Sequence, residues 1–295
     1  VPDGMGIFRF RARGFDAAGV ERFSERTINS VAAGQQLKPR VAMSPDGRFA
    51  VVWEDDPERD GSKQILLRGF LADGSERFAD RMVNDNAAGT HILPALATDG
   101  VGRVIVVWQD DSDGNGTYQI HGKAFNADGS IWLPRFTVNS ESAGQQRWPA
   151  VGMDSVGNFA VAWEDDSDGN GSYKIKARGF AADGSEVFAD KTVNSLSDGQ
   201  QLRASLSMAP DGRFVVVWED DADDNGLFQL KTRGFAPDGS EWFADRTVNR
   251  NASGQQLRPH VSVDAAGSLV FVWEDDMDGN GYFQILAKGL DGNSL

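Results

Sequence analysis

Five tryptophans, Trp53, Trp108, Trp163, Trp218 and Trp273, stand 55 residues apart each time, with no insertion or deletion between them. Each closes a short apolar run and opens an acidic loop. The fullest early form runs from Val106 through Trp108, Asp110, Asp111, Asp113 and Asn115 to Gly116. A fixed period of this length marks a repeat architecture, and it constrains the fold more than any single residue does. One such unit cannot bury its own apolar faces, so the repeats are expected to share one body. The reading is a single domain over residues 1–295, built from five 55-residue repeats with an extra copy of the third strand.

Each repeat holds four strand-like runs divided by turn chemistry. In the fourth repeat these are Leu202 to Met208, Phe214 to Trp218, Phe228 to Phe235 and Trp242 to Val248. The second is almost continuously apolar, as expected of a strand buried on both faces. Pro210-Asp211-Gly212 and Pro237-Asp238-Gly239 are hairpin signals, because glycine supplies the positive φ of a tight turn. No segment has a sustained helical period. The expected fold is all-β: a five-bladed β-propeller of four-stranded antiparallel blades. One first-strand position reads Ala42, Ala97, Gly152, Ser207 and Ser262, always small, as the narrow centre of a five-bladed ring requires. A solenoid would want distinct capping repeats, and none is visible.

Residues 276–295 repeat the pattern of 1–20, so the chain opens on a third and a fourth strand and closes on a first, second and third. The N-terminal fourth strand, Phe23 to Ile28, is therefore expected to complete the last blade and tie the ends together. One third strand, Ile7–Phe15 or Tyr282–Leu290, is then surplus, as in a piece of a longer array. The N-terminus shows neither an initiator Met nor a signal peptide, which reads as a mature or excised chain.

The 29 Lys+Arg against 44 Asp+Glu leave a formal charge of −15, which excludes a nucleic-acid partner needing a basic footprint. No cysteine is present, so thiolate metal sites and cysteine catalysis are excluded. No apolar run is long enough for a membrane-spanning helix, and no membrane insertion is expected.

The acidic loops carry the chemistry. Aligned on the tryptophans they place Asp56, Glu58 and Asp60; Asp111, Asp113 and Asn115; Asp166, Asp168 and Asn170; Asp221, Asp223 and Asn225; and Asp276, Asp278 and Asn280 at alternate positions before a glycine. This is the first half of an EF-hand-type loop, in which alternate side chains converge their oxygens on one point. Hard oxygen donors without His or Cys select calcium. The final glutamate of an EF-hand has no counterpart, and Asp55, Asp110, Asp165, Asp220 and Asp275 are candidates for the missing carboxylate. Affinities on the order of 10⁻⁴–10⁻³ M are expected. The competing reading is a run of Asp/Asn/Gly turns that needs no ion. The N-terminal copy, Val1 to Met5, has lost two of three donors and should be inactive.

The unit Val-Val-Trp-Glu-Asp-Asp … Arg-Gly-Phe-x-Ala-Asp-Gly-Ser … Val-Asn resembles the repeats of large secreted bacterial surface proteins that form β-propellers. Its acidic loop is similar to the calcium loops of integrin-type propellers. The resemblance implies a secreted or cell-surface module, with calcium for structural order and an extracellular carbohydrate or protein as partner.

Alternating strand direction puts the acidic loops on the same face as Gln36, Gln146, Gln201 and Gln256. Their amides could meet sugar hydroxyls, or could satisfy loop backbone. Trp132 and Trp242 share one fourth-strand position, where they pack or stack on a sugar, and Asn29, Asn84, Asn139, Asn194 and Asn249 read as turn formers. Catalysis draws little support, because an active site gathers unlike residues and nearly every polar group here recurs fivefold. His91, His121 and His260 fall at different repeat positions, away from any nucleophile. The reading is a non-enzymatic, multivalent binding or adhesion module; the alternatives are a structural spacer of a larger surface protein and a glycan-active enzyme.

Overall fold

The structure is a computed structural model that describes residues 9–30, 33–196 and 198–292. Among these there are twenty-one strands and no α-helix. The chain divides into two compact units, Val1–Thr117 with His121–Thr137, and Tyr118–Ile120 with Val138–Leu295.

In the first unit, β1 (Arg11–Phe15) and β2 (Glu21–Thr27) form a two-stranded sheet. β3 (Gln35–Met43), β4 (Phe49–Asp56), β5 (Gln64–Phe70) and β6 (Glu76–Met82) form a four-stranded antiparallel sheet in chain order. β7 (Thr90–Thr98), β8 (Val104–Asp111), β9 (Gln119–Phe125) and β10 (Ile131–Thr137) repeat it. The second unit holds β11 (Gln145–Met153), β12 (Phe159–Asp166), β13 (Lys174–Phe180) and β14 (Glu186–Thr192) as one such sheet. β15 (Gln200–Met208), β16 (Phe214–Asp221), β17 (Gln229–Phe235) and β18 (Glu241–Thr247) make the next. The last sheet has three strands, β19 (Gln255–Val263), β20 (Leu269–Asp276) and β21 (Gln284–Leu290).

The fold is all-β, made of repeated four-stranded antiparallel sheets in the manner of a propeller, but the blade count and the closure differ from expectation. Among the described residues there are four complete sheets, one of three strands and one of two. The N-terminal fourth strand pairs with its own neighbour β1, and β20 takes β21 as its third strand, so β2 does not complete the last sheet. A local hairpin closes over a short loop at little entropic expense, whereas pairing the chain's two ends means closing almost its whole length. The copy at Val1 to Met5 lies outside the described residues.

Within each unit the core lies between successive sheets. β4, β12 and β16 are buried along their whole length, as a central strand covered on both faces must be. Four of the repeated tryptophans are fully buried and Trp273 nearly so. Between β15–β18 and the sheet before it, Trp218, Phe214 and Val216 pack on Ala160, Ala162 and Ile175. Each third strand that has a fourth beside it carries a glycine roofed by a phenylalanine of that fourth strand. A Cβ on Gly179 would stand 2.1 Å from the Phe188 ring, so the aromatic fills the place of the missing side chain. In the second unit the small first-strand residues do bring first strands together. A Cβ on Gly152 would stand 2.5 Å from Leu206, and Ser207 Oγ accepts the Val263 N–H at 3.1 Å.

Candidate active site

The site arises from one irregularity repeated in every first strand. β15 pairs with β16 through Gln200↔Asp221, Gln201↔Asp220 and Leu202↔Glu219, then slips register before Ser205. The slip puts Arg203 into the left-handed region at φ 50°. Trp148 and Arg258 in the second unit, and Lys38 and Leu93 in the first, sit at the same repeat position with φ between 51° and 54°. A non-glycine residue held there costs on the order of 1 kcal/mol, so something must hold it. The bulge turns a backbone N–H out of its own ladder, and a glutamate of the preceding sheet takes it. Glu164 Oε1 accepts Arg203 N–H at 2.7 Å, Glu219 Oε1 accepts Arg258 N–H at 2.6 Å, and Glu54 Oε1 accepts Leu93 N–H at 2.8 Å.

The same glutamates take side-chain cations, and here the repeats part company. In the first unit Glu54 has two ammonium groups, Lys38 at 3.2 Å and Lys63 at 2.9 Å. In the second, Arg147 Nη2 meets Glu164 at 3.0 Å, Arg203 Nε stands 3.8 Å from Glu219, and Arg258 Nη1 bonds both Glu274 oxygens at 2.9 and 3.0 Å. Arg203 thus joins Glu164 to Glu219 through its N–H and its guanidinium, and Arg258 joins Glu219 to Glu274. The result is an alternating row of carboxylates and guanidiniums across three successive sheets.

Burial sets the protonation of this row. It pushes Glu219 from 4.5 up to about 7, against the Arg258 N–H and a guanidinium too distant to offset it. Burial likewise raises Glu164, opposed by the Arg203 N–H and by Arg147. Glu164 and Glu219 are almost wholly enclosed, whereas the Glu274 side chain keeps 27% of its surface exposed and Arg258 60%. Trp148 lies under the Arg203 guanidinium at 5.4 Å and Tyr173 under that of Arg147 at 3.7 Å. An acid with a raised pKa and an accessible carboxylate thus share one residue, Arg258, which gives its N–H to Glu219 and its guanidinium to Glu274.

The acidic loops are folded as alternating-donor turns. The first donor is anchored: Asp56, Asp166, Asp221 and Asp276 are buried, and each, like Asp111, accepts the N–H of the loop glycine, at 3.1 Å in the Asp166–Gly171 case. The second and third are exposed and bond one another: Asn115 Nδ2 donates to Asp113, Asn170 to Asp168, Asn225 to Asp223 and Asn280 to Asp278. Glu58 and Asp60 are exposed. Among the described residues no group of three or more His, Cys, Asp or Glu side chains is gathered to hold a metal. Four of the five loops contribute two carboxylates and an amide, and only the Asp56 loop contributes three carboxylates.

The glutamines considered as sugar contacts are elsewhere. Gln36, Gln146, Gln201 and Gln256 are completely buried, and each Nε2 donates to the carbonyl three residues before it, at 2.6 to 2.9 Å. They tie down the loop that enters the first strand and present nothing to a ligand. Asn84, Asn139, Asn194 and Asn249 act similarly, each accepting the N–H of the third strand's Ile or Leu.

Two groupings were hidden in the sequence. One is the glutamate–arginine row, because Glu54, Glu164, Glu219 and Glu274 look alike until their burial and cations are known. The other lies in the first unit, where His91 Nδ1 stands 2.8 Å and His121 Nδ1 3.2 Å from the buried Asp110 carboxylate. Burial of Asp110 is outweighed by these imidazoles, which hold its carboxyl well below the usual range. The legible signal was His91 at the position of the buried glutamines, opposite Asp110 in register.

No protein-family model matches the chain, and no curated protein matches it in sequence. Solved structures do. An α-L-arabinofuranosidase of Fusarium graminearum, solved with an iminosugar inhibitor, superposes with a TM-score of 0.57 at 13% identity over 87% of this chain and 80% of its own. The GH93 α-L-arabinofuranosidase of the same organism with arabinobiose gives 0.55 at 13% identity, over 85% and 80%. An endo-arabinase of Bacteroides thetaiotaomicron gives 0.50 at 10% identity, over 85% and 93%. At these identities the likeness is one of fold. It removes the argument that a repeated fold of this kind speaks against catalysis, since solved structures of this fold include glycan-cleaving enzymes. The expectation of a non-enzymatic binding or adhesion module loses its support with that argument.

Proposed function

We propose that the chain is a glycan-active enzyme of the hydrolase type. One observation carries the reading: Glu219, buried and protonated to about pH 7, is linked through Arg258 to Glu274, a carboxylate that reaches solvent. Glycoside hydrolysis needs such a pair, an acid that protonates the departing glycosidic oxygen and a carboxylate that meets the developing charge at the anomeric carbon. Glu219 would give its proton to the leaving oxygen once substrate binding opens its enclosure, and Glu274 would stabilise the oxocarbenium-like centre or activate the water that adds to it. The fold shared with arabinan-cleaving enzymes supports glycans as the substrate class. The test is release of reducing ends from a panel of neutral and acidic polysaccharides. Glu219→Gln and Glu274→Gln should each lower turnover at least a hundredfold, with the melting temperature of Glu274→Gln within a few degrees of wild type. No release from any polysaccharide would sink the reading.

We propose also that the acidic loops bind calcium, at a secreted or cell-surface location where calcium is millimolar. The donor chemistry is all oxygen, and in the Asp56 loop the buried Asp56 Oδ1 has no hydrogen-bond partner, the kind of atom a cation satisfies. Asp56, Glu58 and Asp60 would hold the ion there, and the equivalent Asp, Asp and Asn residues would do so in the other loops. Bound calcium would order the rims next to the glutamate row. Its test stands with the predictions below.

A further inference from the structure

We propose that two copies of this chain join head to tail, β19 and β20 of one entering a groove beside β1 and β2 of the other. Every interface between successive sheets has two halves. In the second unit Val215 and Val217 of β16 and Leu230 of β17 form the first half, fully buried against Leu269, Phe271 and Trp273 of β20. Val261 and Val263 of β19 pack beside them. One period further on, the last sheet presents the same first half through Val270, Val272 and Ile285. There it is open, with 51%, 37% and 73% of those residues exposed.

The first unit holds the second half. Phe49, Val51 and Trp53 of β4 stand where Leu269, Phe271 and Trp273 stand in β20. β1 and β2 cover the outer part of this face with Phe10, Ala12, Phe23 and Ile28. Among the described residues that two-stranded sheet has no first or second strand. Their place is a groove of about 940 Å³. Val41 and Met43 line it and are 66% and 68% exposed, whereas Val151 and Met153 at the same positions of β11 are buried. Phe15 is exposed on β1, although Phe70, Phe125, Phe180 and Phe235 at its position are buried.

A polar contact is divided in the same way. Glu54, Glu164 and Glu219 each accept the bulge N–H of the sheet that follows. Among the described residues Glu274 is bonded by Arg258 of its own sheet and by no such N–H. Lys38, the bulge residue of β3 at φ 51°, has no preceding second strand to bring it a glutamate.

These are the two halves of an interface the chain already builds between its own sheets, and a single chain leaves both open. The occupant that carries both is a second copy. β21 and β1 are equivalent third strands, so β1 of one copy replaces β21 on β20 of the other. Ala12 then stands opposite Val272, where Ala287 stands in the single chain. The exchange trades one backbone ladder for another, while Phe15, Val41, Met43, Val270 and Val272 leave water. The contact is heterologous, so it closes a ring or extends. It encloses Glu274 as Glu219 is enclosed, so the hydrolase proposed above works as the single chain and rests in the assembly.

Sedimentation velocity of the full chain, from the micromolar to the submillimolar range, should show mass rising by whole chains. Val272→Asp and Met43→Asp should each stay monomeric and melt within a few degrees of wild type, because both side chains face solvent in the single chain. Mixed in equal amounts, these two variants retain one intact combination of faces and should stop at a dimer. The chain has no cysteine, so Ala12→Cys in one chain and Val272→Cys in another should give a mixed disulfide on mild oxidation. A monomer at every concentration, or association that survives both aspartates, would overturn the proposal. So would a chain carrying both cysteines that crosslinks only to itself while no mixed disulfide forms. Mass and crosslinking are read without substrate, which keeps this result separate from the hydrolase reading. Glycan cleavage per chain should fall as mass rises; cleavage that stays level would leave the assembly standing and remove Glu274 from the reaction.

Discussion

Replacing Glu219 by glutamine should remove the pH dependence that this one side chain imposes on stability. The acid is moved from 4.5 to about 7 by burial, and it keeps only 2% of its surface exposed. Between those values the folded chain holds a proton that the unfolded chain has released. The unfolding free energy therefore falls as pH rises through this window. The contribution is complete below pH 4.5, and above pH 7 the ionised buried carboxylate has cost the fold about 3 kcal/mol. Burial also raises Asp55, Glu164 and Asp220, and these act in the same direction, so the wild-type profile alone does not isolate Glu219. The difference between variant and wild type does. The amide of Glu219→Gln does not titrate, and its oxygen can still accept the Arg258 N–H. The variant's advantage should grow by about 2.5 kcal/mol from pH 5 to pH 8. Urea unfolding followed by tryptophan fluorescence at four pH values reads this directly. A difference that stays constant with pH, or that grows toward acid, would refute the placement of Glu219 in a desolvated site.

Other expectations follow from single contacts. Asp224 stands at φ 53°, where three other loops have Gly114, Gly169 and Gly279 at 65° to 67°; Asp224→Gly should stabilise by about 0.5–1 kcal/mol in urea titration. Gly179→Ala drives a Cβ to 2.1 Å from the Phe188 ring and should cost about 2–3 kcal/mol. Adding Phe188→Ala should recover part of that loss, and strict additivity of the two changes would show that they do not touch. Calcium should raise the melting temperature through the millimolar range and EGTA lower it, while Asp168→Ala removes one site; calorimetry showing no uptake to about 10 mM would leave only the turn reading.

The legible part of this molecule was its local chemistry. The repeat period, the four runs per unit and the buried tryptophans follow from turn residues and apolar patterning, which act over a few residues and so are written where they act. The strand bounds moved by only one to three residues, as in the second strand, which continues through Trp218 to Asp221. The alternation of loop donors was equally plain. The sheet at each end was not. The first-strand/second-strand pattern told which strand types were present, but β1 and β21 are equivalent in sequence, and only the folded chain decided that each pairs with its own neighbour.

The site was less legible still, for a physical reason. Glu219 owes its proton to burial by surrounding sheets, which outweighs the opposing N–H it accepts from 39 residues further on, and Glu54 and Glu164 have partners at the same distance. Four of the five copies carry a glutamate after the tryptophan, with Gln109 in the second, and the differences among the four lie in which side chains the neighbouring sheet brings to them. The glutamine amides could meet a ligand or a loop carbonyl as far as the sequence went, and burial decided for the loop carbonyl. Sequence alone determined that this is a β repeat with acidic loops. Only the tertiary structure decided which acid keeps its proton, since desolvation and charge pairing depend on residues far apart in the chain and close in space.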